Sequence, residues 1–151
     1  LTQRLSDTSP IRRLTRGEVF ELDGSTIFTM GGATSVDKEY RIPYSSWWPQ
    51  ELPDERNFEE ARAKLDSVGW KVDYVVTHEA PADLAEKLCR EREREYLDDQ
   101  LQRFLAELDG QLGYRAWFFG HYHGDEWRDD RHRLIYRDIV PIEDAMPSSQ
   151  F

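Results

Sequence analysis

The hydrophobic and polar positions of this chain change period several times, and each change marks an element. Glu18 to Leu22 alternates, with Val19 and Phe20 supplying β-branched and aromatic bulk, and predicts a strand. Asp23-Gly24 is a two-residue hairpin turn, and Ser25 to Met30 is the returning strand. Gly31-Gly32 ends it. Ala33 to Pro53 carries polar and aromatic residues without period, including Asp37, Lys38, Arg41, Trp47 and Trp48. Loops of that length inside a compact domain are uncommon and often functional. Leu1 to Leu14 has scattered Leu and Ile but no period that assigns it.

Helical spacing takes over at Pro53-Asp54. Asp54 is the predicted N-cap, Phe58, Ala61, Leu65 and Val68 form one apolar stripe, and Gly69 is the expected stop. Lys71 to Thr77 holds the apolar run Tyr74-Val75-Val76, the mark of a buried strand, with His78 at its carboxyl end. A second helical region follows Pro81. Its clearest part is Glu93 to Leu108, where Leu97, Leu101, Phe104, Leu105 and Leu108 share a face and Gly110 is the expected terminator. Arg115 to Phe119 predicts another buried strand, followed directly by Gly120-His121-Tyr122-His123-Gly124. Arg133 to Val140 predicts one or two closing strands, and the tail from Glu143 is expected to be poorly ordered. The order is an α/β pattern with some antiparallel pairing, in a single domain over residues 1–151. It contains no internal repeat and no low-complexity linker.

Composition narrows the function classes. With 151 residues, 38% of them hydrophobic and 13% aromatic, the chain has enough apolar material for one core, although 33% is charged. The net charge of −10 disfavours broad, non-specific nucleic-acid binding. A small phosphorylated substrate stays open, because bound divalent metals reverse the field locally. A single cysteine, Cys89, excludes an intramolecular disulfide, and its charged, helix-like surroundings argue for an incidental thiol. With no signal peptide in view, the expectation is a cytoplasmic protein. No apolar run nears the roughly 20 residues that span a membrane, so no membrane partner is expected. The first residue is Leu1 rather than Met, which suggests a chain that begins inside a larger protein.

The chemistry concentrates in histidines. The chain has four, and His78, His121 and His123 all sit just beyond predicted core strands. In open α/β sheets, ligands bind in the crevice beyond the carboxyl ends of the strands. In extended backbone, His121 and His123 would project to one side with Cα atoms about 6–7 Å apart. Neutral imidazole suits zinc, iron, nickel or manganese. From the residues alone, three readings remain open: a share of a two-metal site, a mononuclear zinc site with an open position, and a metal-binding or regulatory module without catalysis. His132 is expected to be an ordinary surface or strand residue. Tyr122, between two ligands, should point into packing, and Glu79 is either a support for the ligands or exposed. Asp37 and Arg41 are candidate substrate contacts. Trp47 and Trp48 are expected to anchor the loop in the core. The run Glu91 to Glu95, alternating with Arg, is read as a salt-bridged helix face.

Val76-Thr77-His78-Glu79-Ala80-Pro81 resembles the Thr-His-x-x-Pro segment of calcineurin-like metallophosphoesterases. Trp117-Phe118-Phe119-Gly120-His121-Tyr122-His123 resembles that family's Gly-His-x-His segment. Met30-Gly31-Gly32-Ala33, with Ser35, Asp37 and Arg41, is similar to a loop of its small bacterial and phage members. The likeness runs from about Gly17 to Val140. It implies a β-sandwich flanked by helices (αββα) and two divalent ions (manganese, iron, zinc or nickel), one on His78 and His121 and the other on His123. Such ions lie about 3.5–4 Å apart and clamp a phosphoryl group. The implied substrate is a phosphorylated small molecule or nucleotide. The resemblance leaves open which substrate, monoester or diester, and the oligomeric state. The family's Asp-x-His, Gly-Asp and Gly-Asn-His segments do not occur in this sequence. The expectation is therefore the C-terminal portion of such a domain, supplying the histidine side of the site and nearly inactive by itself.

Overall fold

A computed structural model of the chain describes residues 13–34, 40, 42–45 and 48–142, and the backbone of residues 3–4. Asp37, Lys38, Arg41 and Trp47, and the tail from Glu143, lie outside the described residues. The elements are β1 (Gln3–Arg4), β2 (Glu18–Leu22), β3 (Ser25–Met30), α1 (Glu55–Ser67), β4 (Tyr74–Thr77), α2 (Ala82–Glu91), α3 (Gln100–Gln111), β5 (Ala116–Phe119), β6 (Glu126–Trp127) and β7 (His132–Leu134).

The fold is mixed α/β. The strands form one mixed sheet in the order β1-β2-β3-β4-β5-β7-β6. The predicted β2–β3 hairpin forms, with Leu22 opposite Ser25 across the Asp23-Gly24 turn. From β3 onward the centre of the sheet is parallel: β3 pairs with β4, β4 with β5, and β5 with β7. The carboxyl ends of those strands therefore share one edge.

Alternation along the strands divides the core. Val19, Phe28, Met30, Val75, Trp117 and Phe119 face the helices, and Phe58, Leu65, Leu88, Leu101, Leu105 and Leu108 close over them. Burying side chains of that size stabilises by roughly 1.5–3 kcal/mol each before entropy is counted. Ile27, Tyr74, Ala116 and Phe118 occupy the other face, packed by Trp127, Ile135, Val140 and Ile142. The second sheet of a sandwich is not among the described residues. Nor is any helix there long and apolar enough to cross a membrane.

The capping prediction holds at α1, where the Asp54 carboxylate accepts the Asn57 N–H at 3.0 Å. The second helical region differs from its stripe. It splits into α2 and α3, and Glu93 takes φ +53°, outside helical space. Asp99 caps α3 by accepting the Gln102 N–H at 2.8 Å, so residues 93–99 are not helical and Leu97 is 57% exposed. The spacing of Leu97 was coincident with the stripe. The helix also continues through Gly110 to Gln111.

The closing strand is shorter than its pattern. Only His132–Leu134 pairs with β5. Asp125 then accepts the backbone N–H groups of Tyr136, Arg137 and Asp138, which ends the strand and leaves Ile139 99% exposed. Trp48 is 45% exposed and does not anchor the core.

Candidate metal centre

β4 and β5 end side by side, and the residues just beyond their ends carry the site. The Gly120 N–H donates to the His78 carbonyl at 3.2 Å, tying the two strand ends together. A side chain at Gly120 would put its Cβ 3.3 Å from His78 Nδ1, so glycine is what lets the imidazole lie against this backbone. His78 and His121 then meet edge to face, with ring centroids 5.2 Å apart and planes at 76°.

The extended His-x-His geometry does not form. His121 and His123 have φ of +66° and +53°, in the left-handed region. Between them the Tyr122 N–H donates to the Gly120 carbonyl at 2.7 Å, a tight turn that rotates the two imidazoles apart. His121 faces His78. His123 is exposed and stacks on Tyr136, centroid to centroid 4.5 Å with 22° between planes.

Beneath the imidazole pair lies a buried carboxyl. Glu79 is 1% exposed. Its Oε1 accepts the Tyr122 hydroxyl at 2.5 Å and the Ala80 N–H at 2.8 Å. Its Oε2 lies 3.8 Å from His121 Nε2. Tyr122 points into packing, as its position between two ligands predicts, and is 6% exposed. Thr77 stiffens the turn: its hydroxyl donates to the Glu79 carbonyl at 2.6 Å and accepts the Trp117 indole N–H at 2.9 Å.

Electrostatics favour neutral imidazole. Burial, and then the neighbouring His121, lower the pKa of His78. Burial, and then His123, lower that of His121. Neutral imidazole is the form that binds metal. Burial raises the Glu79 pKa, although the bonds from Tyr122 and Ala80 oppose it.

Above the pair a recess of about 350 Å³ is lined by Arg16, Gly32, Ala33, Glu51, His78 and His121. Arg16 enters from the segment before β2 and donates to the Gln50 carbonyl at 2.8 Å. Gly32 has φ +115°, and a Cβ there would sit 2.5 Å from the Glu51 carbonyl oxygen, so only glycine fits. Arg16 and Glu51 carry no motif that marks them in the sequence. The candidate substrate residues Asp37 and Arg41 lie outside the described residues. His132 is remote from this chemistry, buried between Asp109 and Asp129.

The rings of His78 and His121 are in edge-to-face contact, while His123 is turned to Tyr136. Among the described residues, no group of three or more His, Cys, Asp or Glu side chains is arranged to hold a metal. Comparison with protein-family models, with curated proteins and with solved structures finds no match to this chain.

Proposed function

We propose that the chain supplies the histidine side of a metal centre in a phosphoester hydrolase, with His78 and His121 holding one ion. The contact of these two rings at the carboxyl edge of a parallel sheet carries the reading. The Thr-His-x-x-Pro and Gly-His-x-His segments that flank the rings support it. On this reading the sheet is one layer of a sandwich, with Ile27, Tyr74 and Phe118 turned toward the other layer. The single thiol fits a reducing, cytoplasmic setting.

Bound divalent ions polarise a phosphoryl oxygen and lower the pKa of coordinated water. The chain's own residues do the rest. Glu79 lies behind His121, its Oε2 3.8 Å from the ring, and Gly120 admits the His78 ring. Arg16 presents a guanidinium to the recess, the group best matched to phosphate oxygens. His123 would be free to hold a second ion if it left Tyr136, on which it now stacks. No bridging aspartate reaches the pair among the described residues, so the reading predicts metal binding by this chain without appreciable turnover.

Equilibrium dialysis of the chain with zinc and manganese tests the proposal. His78→Ala and His121→Ala should each weaken the first ion by at least about tenfold, the usual scale for losing a ligand or its support. Equal affinity in wild type and both variants would refute it.

A further inference from the structure

One wall of the imidazole recess comes from the stretch that leaves the end of β3. Gly32 and Ala33 line the recess beside His78 and His121. We propose that Asp99 is a positioning residue for this wall: through Thr34 it clasps the wall to α3 and so sets access to His121. This rests on the metal reading above only in making His121 a ligand, and it adds what controls entry to that ligand.

Three observations support the clasp. The first is the bond itself. The Thr34 hydroxyl donates to Asp99 Oδ2 at 2.6 Å, joining residues 65 positions apart. A hydroxyl on a carboxylate at that distance makes a charge-assisted bond, stronger than a neutral one. The second is how little else ties the wall down. Among the described residues, no backbone hydrogen bond holds residues 32–34. Gly32 is wedged between the Glu51 carbonyl and Leu101 of α3, with no room for a side chain. Thr34, half-buried two residues later, is where a polar side chain can fix the wall.

The third is what stands on the other side of the bond. Asp99 Oδ1 accepts the Gln102 N–H at 2.8 Å and starts α3, which leaves Oδ2 for Thr34. That helix is rooted in the core by Leu101, Phe104, Leu105 and Leu108, so the wall is tied to a rigid element and not to another loop. The charge of Asp99 is felt at both His121 and Glu79, which puts the clasp beside the ligand. The His121 side chain is 16% exposed, whereas His78 is open to solvent. Of the pair, His121 is therefore the ring whose exposure the wall can change.

The test is the rate at which diethyl pyrocarbonate modifies each histidine of the whole, metal-free chain, read by mass spectrometry. Thr34→Val keeps the shape of the side chain and the Asp99 cap but removes the hydroxyl. It should raise the His121 rate about fivefold, the change in a local opening equilibrium when one hydrogen bond is lost. His78, already exposed, and His132, buried elsewhere, should react as in wild type. Thr34→Ser, which restores the hydroxyl, should bring His121 back, and Thr34→Ala serves if the valine variant does not fold. An unchanged His121 rate overturns the clasp. So does a rise that serine does not reverse, or one matched at His132, since general loosening would move both. Zinc protection in parallel separates the two claims. If zinc shields His78 and His121 while Thr34→Val changes nothing, only the clasp falls. If the Thr34 result holds and zinc shields neither ring, the metal reading falls and the clasp stands.

Discussion

His123 stacks flat on Tyr136, 4.5 Å from centroid to centroid, and does not face the His78–His121 pair. The ring is held from a distance. Asp125, two residues on, accepts the Tyr136 N–H at 2.6 Å and so fixes the aromatic partner. His123 should therefore be dispensable for the first ion. His123→Ala is expected to leave its dissociation constant within about threefold, less than 1 kcal/mol. Tyr136→Ala should likewise spare the first ion while freeing His123. Cobalt titration followed by absorbance checks both. A large loss of the first ion in His123→Ala would show that the stack opens to complete a three-imidazole site.

Glu79 combines stability and positioning. Replacing it by leucine strands the Tyr122 hydroxyl and the Ala80 N–H in the core. Each orphan costs roughly 1–3 kcal/mol. Glu79→Leu should lower the melting temperature substantially, and Glu79→Gln, which keeps an acceptor oxygen, much less. If Glu79 also orients His121, Glu79→Gln should still weaken zinc binding, in the range of about 10–100-fold seen for supporting groups. Thermal melts and zinc titration of both variants read the two effects separately. Unchanged zinc affinity in a well-folded Glu79→Gln protein would leave Glu79 with a structural role alone.

His132 predicts a pH dependence away from the metal centre. Its Nδ1 lies 2.8 Å from Asp129 Oδ2, its Nε2 3.4 Å from Asp109 Oδ1, and it contacts the rings of Tyr114 and Trp117. Burial disfavours its charge, but Asp109 and Asp129 outweigh that and raise its pKa. Arg131 lies over Tyr114, with a guanidinium nitrogen 3.5 Å from Asp109 Oδ1. A group whose folded pKa is raised stabilises fully below its unfolded value, near 6.5 for histidine, and loses the contribution as pH rises through the folded value. Burial works against the charge of both carboxylates too, yet their hydrogen bonds keep them below the usual range, so they stay ionised at pH 6. Urea unfolding of wild type and His132→Gln should show a larger difference at pH 6 than at pH 9. A difference that grows toward pH 9 would contradict this.

The sheet and the site edge were legible because their signals are local. The β2–β3 hairpin follows from alternation around Asp23-Gly24, and α1 from Asp54 with the Phe58, Ala61 and Leu65 stripe. Strand-end histidines follow from where apolar runs stop. What failed depended on competing polar contacts. Leu97 fits a helical stripe, but Asp99 caps the helix after it. Val140 fits a strand, but Asp125 captures the backbone at Tyr136 to Asp138. His121 and His123 fit an extended pair, but the Tyr122 turn separates them. Arg16 and Glu51 reach the recess only through tertiary folding around Gly32, which no spacing records.

The central claim is that His78 and His121 bind one ion together. Long-range proton–nitrogen spectra of the uniformly labelled chain, recorded with and without one equivalent of zinc, test it most directly. Zinc should shift one ring nitrogen of His78 and one of His121, and leave His132, locked between Asp109 and Asp129, unmoved. Unperturbed nitrogens on either His78 or His121 at saturating zinc would contradict the account.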